Sequence, residues 1–113
     1  MKPRNQQVVE KLIAESELMC VLIGSMTEKD FLVDERTKRA VCMTLINIGE
    51  LIKNLDEEFR LKHREIPWKL IAGLRDVTAH KYQTLKMEDI WVTATTDVPH
   101  LRQQLVAILQ DEC

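Results

Sequence analysis

Apolar residues recur every three to four positions along most of this chain, and nowhere do they alternate as the face of a half-buried strand would. Val8, Val9, Leu12, Ile13, Met19, Leu22, Ile23 and Met26 follow a 3.6-residue period, which predicts a long amphipathic helix from Gln7 to Met26. Gly24-Ser25 interrupts it, and Thr27-Glu28-Lys29-Asp30 ahead of Phe31 and Leu32 has the spacing of a capping box, so a fresh helix is expected there. Asp34 can cap again. Ala40, Val41, Met43, Leu45, Ile48, Leu51, Ile52 and Leu55 then carry the period through a second long helix, Asp34 to Leu55.

Gly49 lies inside that helix, where glycine costs about 1 kcal/mol relative to alanine. It is expected where another backbone approaches closely, with ordinary helix packing as the simple alternative. Its neighbour Glu50 reads more readily as a solvated helix residue than as a site residue. After a polar stretch from Glu57 to Glu65, Ile66-Pro67-Trp68 places proline at a first helical position, followed by Leu70, Ile71 and Leu74. A last helix runs from about Met87 through Ile90, Trp91, Ala94, Val98, Leu101, Leu105, Ile108 and Leu109, bent near Pro99, where a helical amide is lost. Trp68 and Trp91, at helix starts, are expected to anchor the core. The sequence contains no repeat and no low-complexity tract.

The chain has 113 residues, enough for one domain spanning 1–113 but not for two. At this length folding buries roughly two-thirds of the unfolded surface, so a core is feasible without disulfides or metal. Helices with short connections predict an all-α, up-and-down bundle of four to five helices. The three cysteines, Cys20, Cys42 and Cys113, are odd in number, share no CxxC spacing and have no histidine cluster nearby. No metal or other cofactor is expected, and a reducing cytoplasm is the simplest compartment. No window has the roughly 18 consecutive apolar residues of a membrane span, and Met1-Lys2-Pro3-Arg4 leads into polar Asn5-Gln6-Gln7 rather than an apolar signal core.

A formal net charge of -2 argues against indiscriminate nucleic-acid binding over the whole surface. The distribution is uneven. Residues 60–86 hold Arg60, Lys62, Arg64, Lys69, Arg75, Lys81 and Lys86 against only Glu65 and Asp76, a net of +5, which leaves -7 on the remainder. Such a segment can attract phosphate locally while the acidic remainder suppresses non-specific contacts. A solvated face that is basic by accident is the plain alternative.

Within that segment, Arg75-Asp76-Val77-Thr78-Ala79-His80-Lys81-Tyr82 reads RxxxxHxY. Of the seven arginines only Arg75 has a histidine five positions on, and Tyr82 is the chain's single tyrosine. Arginine presents a planar, permanently charged fork that grips phosphate oxygens and stabilises charge developing at phosphorus. Histidine titrates near neutral pH, so His80 can take a proton from a 2′-hydroxyl or give one to a leaving oxygen. The pair suits RNA cleavage by internal 2′-hydroxyl attack, which needs no metal and which DNA cannot undergo. Taken singly, Arg75 reads as a surface ion-pair partner, His80 as a satisfied core histidine and Tyr82 as a packed aromatic with a wet hydroxyl. His63 and His100 belong to no such constellation.

Five residues on an undistorted helix rotate by about 140° net, so Arg75 and His80 would face different sides. Either the helix breaks between Ile71 and Tyr82, or two chains related by a twofold axis complete the site across their interface. The paired site is favoured.

The order of these landmarks resembles the HepT-like branch of the HEPN proteins, small all-helical proteins whose hallmark is RxxxxHxY. The resemblance rests on Asp34-Glu35-Arg36 through Arg39-Ala40-Val41, Ile48-Gly49-Glu50, Ile66-Pro67-Trp68, Gly73-Leu74-Arg75-Asp76, His80-Lys81-Tyr82, and Ile90-Trp91 with Pro99 downstream. It implies a metal-independent endoribonuclease acting as the toxin of a toxin-antitoxin pair, a homodimer whose Arg75 and His80 meet at the interface, with Asp76, Lys81 and Tyr82 in supporting or RNA-binding positions. RNA, such as tRNA or mRNA, is the implied substrate. The implied antitoxin is a minimal nucleotidyltransferase that neutralises the toxin by transferring AMP from ATP to Tyr82. Adding an anionic nucleotide beside Arg75 and His80 would fill a phosphate site with a competing phosphate. Two positions depart from the family's habit. Asp76 stands where asparagine is frequent and could pair with Arg75, and Leu51 follows Gly49-Glu50 where a small residue is common. The alternative reading is a non-catalytic helical module that docks a nucleotidyltransferase and presents substrate or nucleotide to it.

Overall fold

A computed structural model of the chain describes residues 1–73 and 82–112. All regular structure among these residues is helical. Helix α1 spans Pro3–Ile23, with proline in the first turn where an amide has no intrahelical partner. It ends at Gly24, whose amide makes the last helical bond, to the carbonyl of Cys20 at 2.9 Å, and whose φ of 53° is a backbone conformation that glycine adopts without strain. Helix α2, Glu28–Leu32, starts from the expected capping box: the Thr27 hydroxyl accepts from the Asp30 amide and the Asp30 carboxylate accepts from the Thr27 amide. Helix α3, Glu35–Lys53, is capped by Asp34, which accepts from the Thr37 amide at 3.0 Å.

The polar stretch after α3 holds one element that the apolar pattern does not reveal. Helix α4, Glu57–Lys62, is capped by Asp56 and buries a single residue, Phe59, too few apolar positions to display a period. A turn brings the chain to Ile66, and Trp68 closes it by donating its indole N–H to the carbonyls of Arg60, at 3.2 Å, and His63, at 3.1 Å. Residues 68–73, α5, are helical to the edge of the described segment. Pro67 accepts the first helical bond, from the Ile71 amide, so it stands just outside the helix rather than at its first position.

After a 3-10 turn at Tyr82–Thr84, the last helical run combines α6, Met87–Val92, a π-helical turn, Thr93–Asp97, and α7, Val98–Asp111. The expected bend near Pro99 therefore takes the form of a wider turn. Pro99 has no amide to offer the carbonyl four residues back, and the Val98 amide reaches back five residues to Thr93. The hydroxyls of Thr93 and Thr95 supplement this stretch by donating to the carbonyls of Asp89 and Trp91.

Helix α1 lies along both α3 and α7, and α2 bridges α3 and α6. The shared core contains Val9, Leu12, Met19, Phe31, Val41, Ile48, Ile52, Leu101 and Leu105, all almost completely buried. Gly49 is buried on α3. Trp68 is buried as expected of an anchor, while Trp91 is half-buried and stacks at a tilt on Phe31, ring centroids 5.3 Å apart. Asn5, buried at the start of α1, donates to the Asp56 carboxylate at 3.2 Å and accepts from the Asp56 amide, so it joins the starts of α1 and α4. The described residues thus form an all-α bundle, as the helical periodicity predicts. No described helix is long and apolar enough to cross a membrane.

Candidate functional site

Four of the five residues expected to form the site, Arg75, Asp76, His80 and Lys81, lie outside the described residues. Tyr82, the fifth, is described, and its surroundings carry chemistry of their own. On α3, residues 35, 38, 39 and 42 follow helical spacing and share one side, so Glu35, Lys38, Arg39 and Cys42 form a short stripe near the helix start. Tyr82 sits on this stripe. Its hydroxyl donates to Glu35 Oε1 at 2.9 Å, and the Arg39 guanidinium lies over its ring, 4.8 Å from the centroid. Arg39 Nε donates to the same Glu35 oxygen at 3.0 Å, while Lys38 Nζ stands 3.2 Å from Oε2 and also donates to the Leu32 carbonyl at 3.0 Å. One carboxylate thus holds a phenol, a guanidinium and an ammonium, and the ammonium ties it to the end of α2.

The electrostatics follow from these contacts. The Tyr82 hydroxyl and then Lys38 hold the Glu35 carboxyl below its ordinary value, so Glu35 is an anionic acceptor at neutral pH. Partial burial, with Glu35 next, raises the Tyr82 phenol, which therefore stays protonated and able to donate. Cys42 is buried and its thiol is pushed up to about 11, chiefly by desolvation, which makes it an inert core residue. The caps behave like Glu35: hydrogen bonds from Thr37 depress Asp34, and those from Phe59 and Lys2 depress Asp56.

A pH dependence follows. A carboxylate whose folded pKa is lowered contributes stability that is present above its unfolded value and lost as pH falls through the folded one. Glu35, Asp34 and Asp56 begin from ordinary values of 4.5, 3.8 and 3.8, so the urea midpoint should hold steady near neutrality and fall as pH drops below about 4. Tyr82 acts in the other direction: its raised value adds stability below pH 10.0 that disappears on further alkalinisation. A midpoint unchanged between pH 7 and pH 3 would contradict these assignments.

The basic segment is partly visible. Arg60, Arg64 and Lys69 line a groove of about 550 Å³ between α4 and α5, together with Glu57, the buried Ile66 and Trp68, and the exposed Leu61 and Leu70. Among the described residues none of the three cations has a carboxylate within 4.0 Å. Lys62, by contrast, is paired with Glu112 at 2.7 Å. His63 faces Glu112 and Glu65 at 3.6 and 3.8 Å and packs on Phe59, and His100 is exposed. Glu50 is exposed and borders a shallow groove with Lys11, Glu15 and Asn47. Among the described residues, no group of three His, Cys, Asp or Glu side chains is placed to hold a metal ion.

Glu35 and Arg39 stand in the sequence among the landmarks of the family resemblance, with no role attached to either, and as an i,i+4 pair they would ordinarily mark a solvated helix surface. Their partner Tyr82 is 47 positions away, and no local pattern announces that contact.

Residues 10–108 match the sequence model of the family described as Ribonuclease HepT-like. The chain is 38% identical over 104 residues to a protein from Caldanaerobacter subterraneus subsp. tengcongensis described as a candidate RNase, covering 92% of this chain and 93% of that one. It is 40% identical over 88 residues to a candidate RNase of Methanocaldococcus jannaschii, covering 78% and 73% respectively. A protein of Thermococcus cleftensis described as a probable ribonuclease HepT is 33% identical over 102 residues, covering 90% and 93%. No solved structure matches the chain.

Proposed function

Since this chain belongs to the HepT-like ribonuclease family, we propose that it is an endoribonuclease that cleaves RNA through Arg75 and His80 without a metal ion. The observation that carries this reading is a complete RxxxxHxY, Arg75 to Tyr82, inside the matched span 10–108. His80 removes the proton of a ribose 2′-hydroxyl, the 2′-oxygen attacks the adjacent phosphorus, and the bond from phosphorus to the 5′-oxygen breaks as that oxygen takes up a proton. The products are a 2′,3′-cyclic phosphate and a 5′-hydroxyl. Arg75 holds the non-bridging oxygens, and its fixed charge stabilises the dianionic transition state. In sequence Asp76 follows Arg75 and Lys81 follows His80, and an Asp76 carboxylate paired with Arg75 would moderate its charge.

The proposed active form is a twofold dimer whose paired segments complete the site, and the proposed role is that of a toxin. Its antitoxin is a minimal nucleotidyltransferase: the Tyr82 oxygen attacks the α-phosphorus of ATP, loses its proton, and expels pyrophosphate. The resulting AMP lies in sequence beside His80 and competes with RNA phosphate.

Arg60, Arg64 and Lys69 supply an approach for the RNA strand. Arg75 lies six positions after Lys69, which bounds their Cα distance at about 22 Å, a few nucleotides of extended RNA. Replacing the three with glutamine should raise KM and reduce the slope of log KM against log salt by about 2, the single-strand value for three lost phosphate contacts. An unchanged slope would remove the groove from the RNA path.

The ribonuclease reading is tested by incubating the purified protein, shown by mass spectrometry to carry no AMP, with tRNA and bulk RNA in EDTA beside a His80→Ala control of matched oligomeric state. Cleavage by the wild type alone, leaving cyclic phosphate ends, is expected. Cleavage by neither protein would favour the docking-module reading.

A further inference from the structure

The Glu35 carboxylate makes more contacts than helix capping or surface solvation calls for. Its Oε1 accepts from both the Tyr82 hydroxyl, at 2.9 Å, and Arg39 Nε, at 3.0 Å, and its Oε2 faces Lys38 Nζ at 3.2 Å. Arg39 in turn covers the Tyr82 ring, so the tyrosine is held at its hydroxyl and on one face. Two helix elements fix the anchor itself: Asp34 caps α3 immediately before Glu35, and Lys38 bonds the Leu32 carbonyl at the end of α2.

Tyr82 follows His80 by two residues, so covalent geometry alone keeps their Cα atoms within about 7 Å. Whatever holds Tyr82 therefore limits where the imidazole can be. We propose that Glu35 is a positioning residue for the RxxxxHxY site, tethering its C-terminal end to α3 through the Tyr82 hydroxyl, with Arg39 closing the tether over the ring. The proposal rests on the ribonuclease reading above. It assigns Glu35 no contact with RNA; Glu35 acts through Tyr82.

The tether also discriminates between two states of Tyr82. A free phenol donates a hydrogen to the carboxylate. A phosphodiester on the same oxygen has no hydrogen to donate and brings a negative charge toward Glu35, so tethering and modification exclude each other. Arg39 and Lys38 stand ready to pair with that new anion once it displaces the carboxylate.

The test is a double-mutant cycle on RNA cleavage by the full chain, with kcat and KM measured separately for Glu35→Ala, Tyr82→Phe, their combination and Glu35→Gln. The Glu35 side chain is 56% exposed, so its replacement leaves the core intact. Each single variant is expected to lower kcat about tenfold with KM within about twofold, because a misplaced general base slows chemistry more than binding. The double variant should be no slower than the slower single, since both remove one contact. Glu35→Gln keeps an acceptor oxygen and should recover to within about threefold of wild type. Losses that multiply to about a hundredfold, or Glu35→Ala cleaving as wild type, would overturn the tether and leave the ribonuclease reading standing. A wild type that does not cleave RNA removes both.

Discussion

His80→Ala should abolish RNA cleavage to within a factor of about 10²–10⁴ below wild type, the usual contribution of a positioned general acid or base, with the melting temperature little changed. Arg75→Ala should fall in a similar range, because the guanidinium is asked to stabilise charge that exists only in the transition state; kcat should drop with it. The two inactive proteins together make a sharper experiment. If each site takes its arginine from one chain and its histidine from the other, a mixed dimer of Arg75→Ala and His80→Ala subunits contains one complete site and one doubly defective one. Random reassortment should then restore about a quarter of wild-type activity. A site built within one chain gives no recovery on mixing. Retention of full activity by either single variant as a folded protein would defeat the assigned roles.

Leu12→Ala should be the most damaging single truncation among conservative ones, costing about 2–5 kcal/mol out of the roughly 5–15 that a domain of this kind holds in reserve. Leu12 is fully buried in the middle of α1, the helix that lies along both α3 and α7, so a cavity there loosens two interfaces at once. Leu70→Ala gives the contrast: at 73% exposure the same truncation should stay within about 0.5 kcal/mol. Urea unfolding of the two variants beside wild type measures both. Equal midpoints for Leu12→Ala and wild type would mean that α1 is not the shared spine of the core.

Much of the architecture was legible because helix formation leaves local marks. The apolar positions of α1, α3 and α7 repeat at the helical period, and most of them, from Val9 and Leu12 to Leu101 and Leu105, are buried; Ile13, Leu22, Leu51 and Leu109 are half-buried, and Met43 faces solvent. The capping residues Thr27 and Asp34 were equally readable, since a side chain three positions from its amide partner needs no tertiary structure to form the bond. Helix α4 was not, because six residues with one buried phenylalanine display no period. The π-helical turn before Pro99 was foreshadowed only as a bend: a missing amide predicts a disturbance, and packing of α6 and α7 against the rest of the bundle decides its form.

The same division runs through the site. Arg75, His80 and Tyr82 could be singled out from the sequence because their chemistry and spacing are carried within eight consecutive residues. Glu35 and Arg39 belonged to a landmark of the resemblance, but nothing local gave either of them a role at the site. What distinguishes them is a hydrogen bond to a residue 47 positions away, and proximity between distant segments comes into being only when the chain folds back on α3. Periodicity, caps and motif are properties of neighbours along the chain, so the sequence by itself determined them. The contact between α3 and Tyr82, and the gathering around the groove between α4 and α5 of cations that have no carboxylate within 4.0 Å among the described residues, are properties of neighbours in space, and only the tertiary structure decided those.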